Sequence, residues 1–335
     1  MKKRYFSLIL VLLYCFTMSS QVNMDSIKDL DSNFRTPPYL QKGDTIAIIA
    51  PAGILKNKKD VIAKAKTLAE SWGLKVVYGK HLFTQGNHFA GTDKERASDF
   101  QKALDNPNIK AIWAARGGYG TVRILDRLDF DKFKESPKWV IGYSDITALH
   151  SHIHTLGIET LHGIMGTSLA DDLNEIKESV ATFKAALFGS NLSYILPVNA
   201  KNRNGEATGK MIGGNISILY SMLGSKSQMD TTDKILFIEE IGEYKYSIDR
   251  MLQSLKRAGF FENCKGLVIG DISNIKKNTT TWGKSIEQLI LDVVSEYDFP
   301  VLFNFPEGHE KDNRALILGR TITMKVGAQN SIVFE

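Results

Sequence analysis

The stretch Lys138-Trp-Val-Ile-Gly-Tyr-Ser-Asp-Ile-Thr-Ala-Leu-His150 reads as a strand, a tight turn and a helix in immediate succession. Trp139-Val140-Ile141 is a short continuous apolar run of the kind that forms a buried strand, and Gly142 permits a sharp bend after it. Ser144-Asp145 then opens a helix that carries Ile146, Leu149 and Ile153 on one side. A serine at such a turn has two readings. It is an N-cap, the commoner role of serine there, or it is an exposed nucleophile beside helix N-terminal N–H groups able to hold an oxyanion. The stretch alone leaves both open.

The same pattern extends upstream. Thr45-Ile-Ala-Ile-Ile-Ala50 is an apolar strand stopped by Pro51-Ala52-Gly53. Val61, Ala65, Leu68 and Trp72 recur at helical spacing up to Gly73, and Leu74-Lys-Val-Val-Tyr78 is a second strand. Residues 94–104 are helical in pattern. Ile109-Lys-Ala-Ile-Trp-Ala-Ala115 is a third strand running into Arg116-Gly-Gly-Tyr-Gly120, and residues 121–128 are helical again. Strand–helix–strand repetition predicts an α/β fold: a parallel, Rossmann-like sheet with helices on both faces. In such a sheet ligands bind at the C-terminal ends of the strands. Pro51–Gly53, Arg116–Gly118 and Ser144-Asp145 all fall on that edge. The glycine-rich turns lack GxGxxG and GxxxxGK[ST] spacing, which argues against a nucleotide cradle.

Downstream, His150, His152 and His154 follow on the same helix, then His162. His150 and His154, four apart, face the same way as a metal pair does, but no carboxylate completes an HExxH pattern, so core or surface histidines are expected. Residues 171–200 read as helical and then loop-like, and Lys201-Asn-Arg-Asn-Gly205 reads as a connector. Beyond it come Glu206–Ile212, a turn at Gly213-Gly214-Asn215 and an apolar helix to Leu223. Lys234-Ile-Leu-Phe-Ile238 is a strand ending in Glu239-Glu240, and Ile248, Leu252, Leu255 and Ala258 mark an amphipathic helix. Gly266–Gly270 and Pro300–Phe303 are further strands. A loop, Glu307-Gly-His309, precedes the last two, Ala315–Leu318 and Thr321–Val326. The expected division is a signal peptide over 1–20, a first domain over 37–170, a connector over 171–204, and a smaller β-rich α/β domain over 205–335.

Lys2-Lys3-Arg4, an apolar run from Phe6 to Phe16, and then Thr17, Ser19 and Ser20 form the layout of a secretory signal. The run is shorter than the ~20 apolar residues of a membrane span, so export to the periplasm is expected, with membrane contact only before cleavage; an uncleaved anchor is the rival reading. Tyr14 before Cys15 is too bulky for a lipoprotein site. The formal charge of +5 loses three basic residues with this segment and falls to +2, too little for a nucleic-acid-binding field. Cys264 is then the one remaining cysteine, so no internal disulfide can form.

Acyl transfer by a serine needs a base to take the hydroxyl proton and a carboxylate to orient that base. Glu239 at a strand end and His309 in a glycine loop supply the residue types, in a Ser…Glu…His order that many hydrolases share. The chain resembles the LD-carboxypeptidase (muramoyltetrapeptide carboxypeptidase) family of serine peptidases, which also includes the microcin C self-immunity peptidases. The resemblance rests on an ordered set: residues 37–53, Ala115-Arg-Gly-Gly-Tyr-Gly120, Trp139–Leu149, Leu161-His-Gly163, Gly213-Gly-Asn-Ile-Ser217, Leu236-Phe-Ile-Glu-Glu240, Ile248-Asp-Arg-Met-Leu252, Phe305-Pro-Glu-Gly-His309 and Leu316-Ile-Leu-Gly319.

That resemblance implies Ser144 as nucleophile, His309 as general base and Glu239 as its orienting acid. It implies an oxyanion hole from the backbone N–H groups of Asp145 and Gly118, with Gly117 as the alternative to Gly118. Glu240 competes with Glu239, since successive strand residues face opposite sides and only one can point at His309. Arg116 either clamps a substrate carboxylate or braces its turn. The implied reaction is release of terminal D-alanine from murein tetrapeptides by a homodimer needing no cofactor and no metal. Three rivals stand beside it. One is a peptidase acting on a peptide–nucleotide antibiotic; another is an esterase, disfavoured because Gly142-Tyr-Ser-Asp-Ile146 is not GxSxG; the third is a wall-peptide binding protein without catalysis.

Overall fold

Two β-sheets clothed by helices make up the fold, in a computed structural model that describes residues 34–335. The expected signal segment and nearly all of the polar leader lie outside the described residues. Chain order begins β1 (Thr45–Ile49), α1 (Lys59–Ser71), β2 (Lys75–Tyr78), α2 (Asp93–Asp105), β3 (Ile109–Ala114), α3 (Thr121–Leu125), α4 (Asp131–Glu135), β4 (Trp139–Ile141), α5 (Thr147–Thr155) and β5 (Thr160–His162). These five strands are parallel. Strands β4 and β5 are buried throughout and β3 exposes only Lys110, as both-face coverage by helices requires.

The chain continues with α6 (Lys177–Phe188), β6 (Ser193–Leu196), β7 (Gly205–Asn215), α7 (Ile216–Ser221), β8 (Lys234–Ile241), α8 (Lys245–Arg257), β9 (Gly266–Ser273), α9 (Ile286–Val293), β10 (Val301–Leu302), β11 (Leu316–Leu318), β12 (Thr321–Val326) and β13 (Asn330–Phe334). The first sheet runs β11-β5-β4-β3-β1-β2 and the second β10-β9-β8-β7-β12-β13-β6. In the second, β10, β9, β8 and β7 are parallel and the remaining pairings antiparallel.

Three expectations give way. The stretch read as loop-like before residue 200 contains β6, an edge strand paired with β13. Gly213-Gly214-Asn215 is no turn but the end of β7. A Cβ on Gly213 would stand 1.8 Å from Phe237 O, and one on Gly214 2.4 Å from Thr147 Oγ1. The glycines are there because another backbone and a helix approach too closely for side chains. The helix after Ser144 is buried not on one side but almost all round, including His150, Ser151 and His154. It packs against β7 and α7 as well as against its own sheet.

Arg35–Glu335 is one compact unit. A single apolar cluster contains Trp113 and Leu161 from the first sheet and Phe237, Val268 and Met324 from the second. Strand β11 crosses over, pairing antiparallel with β5 through Leu316 opposite His162. Beside it Arg320 donates two hydrogen bonds to Glu159, at 2.9 and 2.5 Å, the bidentate geometry that makes an ion pair directional.

Candidate active site

Strand β4 ends at Ile141, and Gly142 follows at φ +153°, where a Cβ would meet Ile146 Cγ1 at 2.8 Å. Ser144 then takes φ +62° and begins a 3₁₀ turn, Ser144–Ile146, that leads into α5. It is the first residue of that turn, whose N-cap is Tyr143, so the N-cap reading fails. A left-handed conformation at a non-glycine residue costs about 1–2 kcal/mol and persists only where its surroundings enforce it. The enforcement is visible. Asp145 Oδ2 accepts from Thr121 N at 2.8 Å and Thr121 Oγ1 at 2.6 Å, and His150 Nε2 donates to Gly142 O at 2.8 Å. Burial lifts the Asp145 carboxyl above its ordinary pKa, against the pull of those Thr121 bonds.

The glycine-rich turn leans over this serine. A Cβ on Gly117 would lie 3.2 Å from Ser144 Cβ and 3.4 Å from Asp145 N, so the face toward the hydroxyl stays open only because residue 117 has no side chain. Gly118 holds φ +100°. Gly53 N donates to Gly117 O at 3.0 Å, which fastens the turn after β1 to the turn after β3. Arg116 Nη1 donates to Ile54 O at 2.5 Å, a bracing contact. Arg96, which the sequence reading passed over, sits beneath both turns, donating to Pro51 O and, at 2.8 Å, to Gly120 O, and pairing with Asp93. A single arginine in a helix otherwise rich in Lys and Asp carries no sequence signal of such a role.

The second sheet brings the other two groups. Glu239 Oε2 lies 2.7 Å from His309 Nδ1. With Nδ1–H donating to the carboxylate, Nε2 is left with its lone pair free to accept a proton. Glu239 is fully buried, and the His309 side chain keeps 13% of its surface exposed. Burial works to lower the His309 pKa, but the hydrogen bond and charge of Glu239, helped by Glu307 and Glu240, leave it raised. Glu240 is engaged elsewhere: it accepts from Asn215 Nδ2 at 3.0 Å, Ser217 N at 2.8 Å and Ser217 Oγ at 2.6 Å. A register shift in β8 between Ile238 and Glu240 accompanies the split.

The two halves meet at Tyr143, whose ring centroid is 5.1 Å from that of His309. Among the described residues Ser144 Oγ makes no hydrogen bond, to the His309 imidazole or to any other group. Apo sites commonly show such looseness. Behind them lies a pair the sequence reading quoted without assigning: His162 Nδ1 bonds to Glu307 Oε1, both side chains fully buried. Burial holds His162 down to about 4, and burial followed by Glu239 and Asp271 pushes Glu307 well above the carboxylate range. Both shifts work toward the uncharged forms of the pair. His150 and His154 hydrogen-bond to Gly142 O and to Thr160 Oγ1. Among the described residues no cluster of His, Cys, Asp or Glu is arranged to hold a metal ion.

Comparison with known proteins converges on one family. Residues 46–163 match the LD-carboxypeptidase N-terminal domain and residues 208–324 the LD-carboxypeptidase C-terminal domain. A probable murein peptide carboxypeptidase of Bacillus subtilis is 34% identical over 302 residues, covering 89% of this chain and 93% of the relative. A muramoyltetrapeptide carboxypeptidase structure from Oxalobacter formigenes superposes with a TM-score of 0.78 at 29% identity, over 87% of this chain and 98% of that one. A microcin C7 self-immunity protein in complex with aspartyl sulfamoyl adenosine has a TM-score of 0.79 at 24% identity, over 89% and 97% of the two chains, a likeness of fold alone. The chain belongs to the LD-carboxypeptidase family and is a serine-type carboxypeptidase, a hydrolase.

Proposed function

We propose that the enzyme releases terminal D-alanine from murein tetrapeptides through an acyl-enzyme on Ser144. The observation that carries this reading is the Glu239–His309 hydrogen bond of 2.7 Å, beside a left-handed Ser144 that makes no hydrogen bond among the described residues. In this mechanism His309 Nε2 takes the Ser144 proton as Oγ bonds to the carbonyl carbon. The carbonyl oxygen becomes an oxyanion, facing the backbone N–H groups of Asp145 and Gly118. As the C–N bond breaks, His309 returns the proton to the leaving amine of D-alanine. Water then repeats the sequence and frees Ser144. Glu239 holds the imidazole tautomer and offsets its positive charge.

The names of the relatives supply the substrate: murein peptide for one and muramoyltetrapeptide for another. The secretory layout of residues 1–20 supports action in the periplasm; a stable cellular protein starting near Gln21 would agree with this, and one starting at Met1 would contradict it. The direct test is mass spectrometry of purified muropeptides after incubation with the full chain, with and without EDTA. Loss of one alanine from tetrapeptides, unaffected by EDTA, is the expected result. Unchanged tetrapeptides, or activity that EDTA removes and zinc restores, would overturn it.

A further inference from the structure

A hollow of about 650 Å³ is lined by Tyr244, Tyr246, Lys277, Asn278, Thr279–Thr281 and Trp282. That volume falls within the ~300–1,000 Å³ of small-molecule sites. An adjoining hollow shares Lys277, Asn278, Thr281 and Trp282 and adds Lys245, Lys276 and Lys284. Its walls are the turn between β8 and α8 and the loop after β9, tied together where Lys276 N donates to Glu243 O at 2.9 Å.

Both walls start at the candidate site. Strand β8 carries Glu239 five residues before Tyr244. Strand β9 carries Asp271, whose N donates to Glu307 O at 2.9 Å and whose Oδ2 accepts from Glu310 N at 3.1 Å, on either side of His309. Six residues separate Asp271 from Lys277, which fixes their separation at no more than about 20 Å. A four-residue peptide spans up to about 14 Å extended. With a sugar at its head, such a substrate is comparable in length to that bound.

The lining is unusual for a surface. Tyr244 and Tyr246 stack with ring centroids 5.4 Å apart and an interplanar angle of 21°, and Tyr246 is 46% exposed. Lys276 and Arg250 sit over the outer rings at 5.4 Å each. Asn278 Oδ1 is buried without a hydrogen-bond partner. A buried acceptor left unpaired costs about 1–3 kcal/mol unless something donates to it. Among the described residues Lys245, Lys276 and Lys277 form no ion pair with a carboxylate; the acid nearest in sequence is Glu243 for Lys245 and Asp271 for the other two.

We propose that this hollow is a subsite for the amino sugar at the head of a muropeptide. The C–H face of a pyranose ring carries partial positive charge and packs on the negative face of an aromatic ring. Its hydroxyl and acetamido groups match Asn278 and the three threonines, the amide N–H or a hydroxyl supplying the donor that Asn278 Oδ1 lacks. The lysines complement the carboxylates of the peptide stem. The inference rests on the proposed reaction, so its test separates the two.

Binding of N-acetylmuramoyl dipeptide, which lacks the bond to be cut, is measured by calorimetry on the full chain beside the sugar-free dipeptide. The sugar-bearing form is expected to bind at least about fivefold more tightly, and Tyr246→Ala and Trp282→Ala to remove that difference. Tyr246 is exposed, so its variant keeps the fold even if Trp282→Ala does not; melting curves check both. In parallel, kcat/KM for D-alanine release is compared for tetrapeptide with and without the sugar. Tyr246→Ala should lower it only for the sugar-bearing substrate, through KM. Equal binding of the two dipeptides, or equal loss on both tetrapeptides, overturns the subsite. Sugar-dependent binding with no hydrolysis of either tetrapeptide would instead overturn the proposed reaction and leave the subsite standing.

Discussion

Ser144 stands where a glycine would be more comfortable. Its φ of +62° loads the chain at the one hydroxyl the proposed reaction needs. Ser144→Gly should therefore stabilise the fold by about 1 kcal/mol while abolishing hydrolysis, the trade expected where strain serves chemistry. Thermal denaturation checks this, and a lower melting temperature in the glycine variant would contradict it. The pH profile follows from His309. Its pKa is raised above 6.5, and the base form is the neutral one, so kcat/KM should climb with pH through a midpoint above 6.5. Glu239→Gln removes the carboxylate that holds the proton on, so the remaining activity should show a midpoint moved downward. A midpoint unmoved by that change would mean another group titrates. The Ser144 turn was legible as a strand-to-helix bend, but its two roles were not separable, because capping and nucleophilic serines share that sequence pattern. What separates them is a backbone angle and an absent hydrogen bond, and neither is written in residue types.

Among the elements, β7 teaches the same lesson in reverse. Gly213-Gly214 reads locally as a turn, since paired glycines usually break a strand. Their reason lies in β8 and α5, more than twenty residues downstream and more than sixty upstream, whose atoms occupy the space of any Cβ. Gly213→Ala should cost more than about 3 kcal/mol, at the upper end of overpacking, because Phe237 O is backbone and cannot rotate away. Urea denaturation measures it, and a loss below 1 kcal/mol would show that β7 can slide. Strands β1, β3, β4 and β8 were legible from continuous apolar runs. The short strand β11 was legible as a strand but not as a member of the first sheet, because Leu316–Leu318 is apolar enough for either. Pairing partners are set by tertiary geometry, which a three-residue run does not encode.

At the scale of the whole molecule, Ser144 comes from the edge of one sheet and Glu239 with His309 from the other. Helix α5, the shared apolar cluster and β11 hold these edges in register. The order of motifs along the chain announced the residues; only the fold places Tyr143 against His309 and sets Glu307 behind them. If the two edges form one catalytic unit, removing either the serine or the histidine disables the same step. The decisive measurement is D-alanine release from tetrapeptide by wild type, Ser144→Ala, His309→Ala and the double variant. Each single change should lower kcat by on the order of 10⁴-fold or more, and the double should be no slower than the worse single, because the residues act together. Substantial turnover by Ser144→Ala, or losses that multiply in the double variant, would contradict the account.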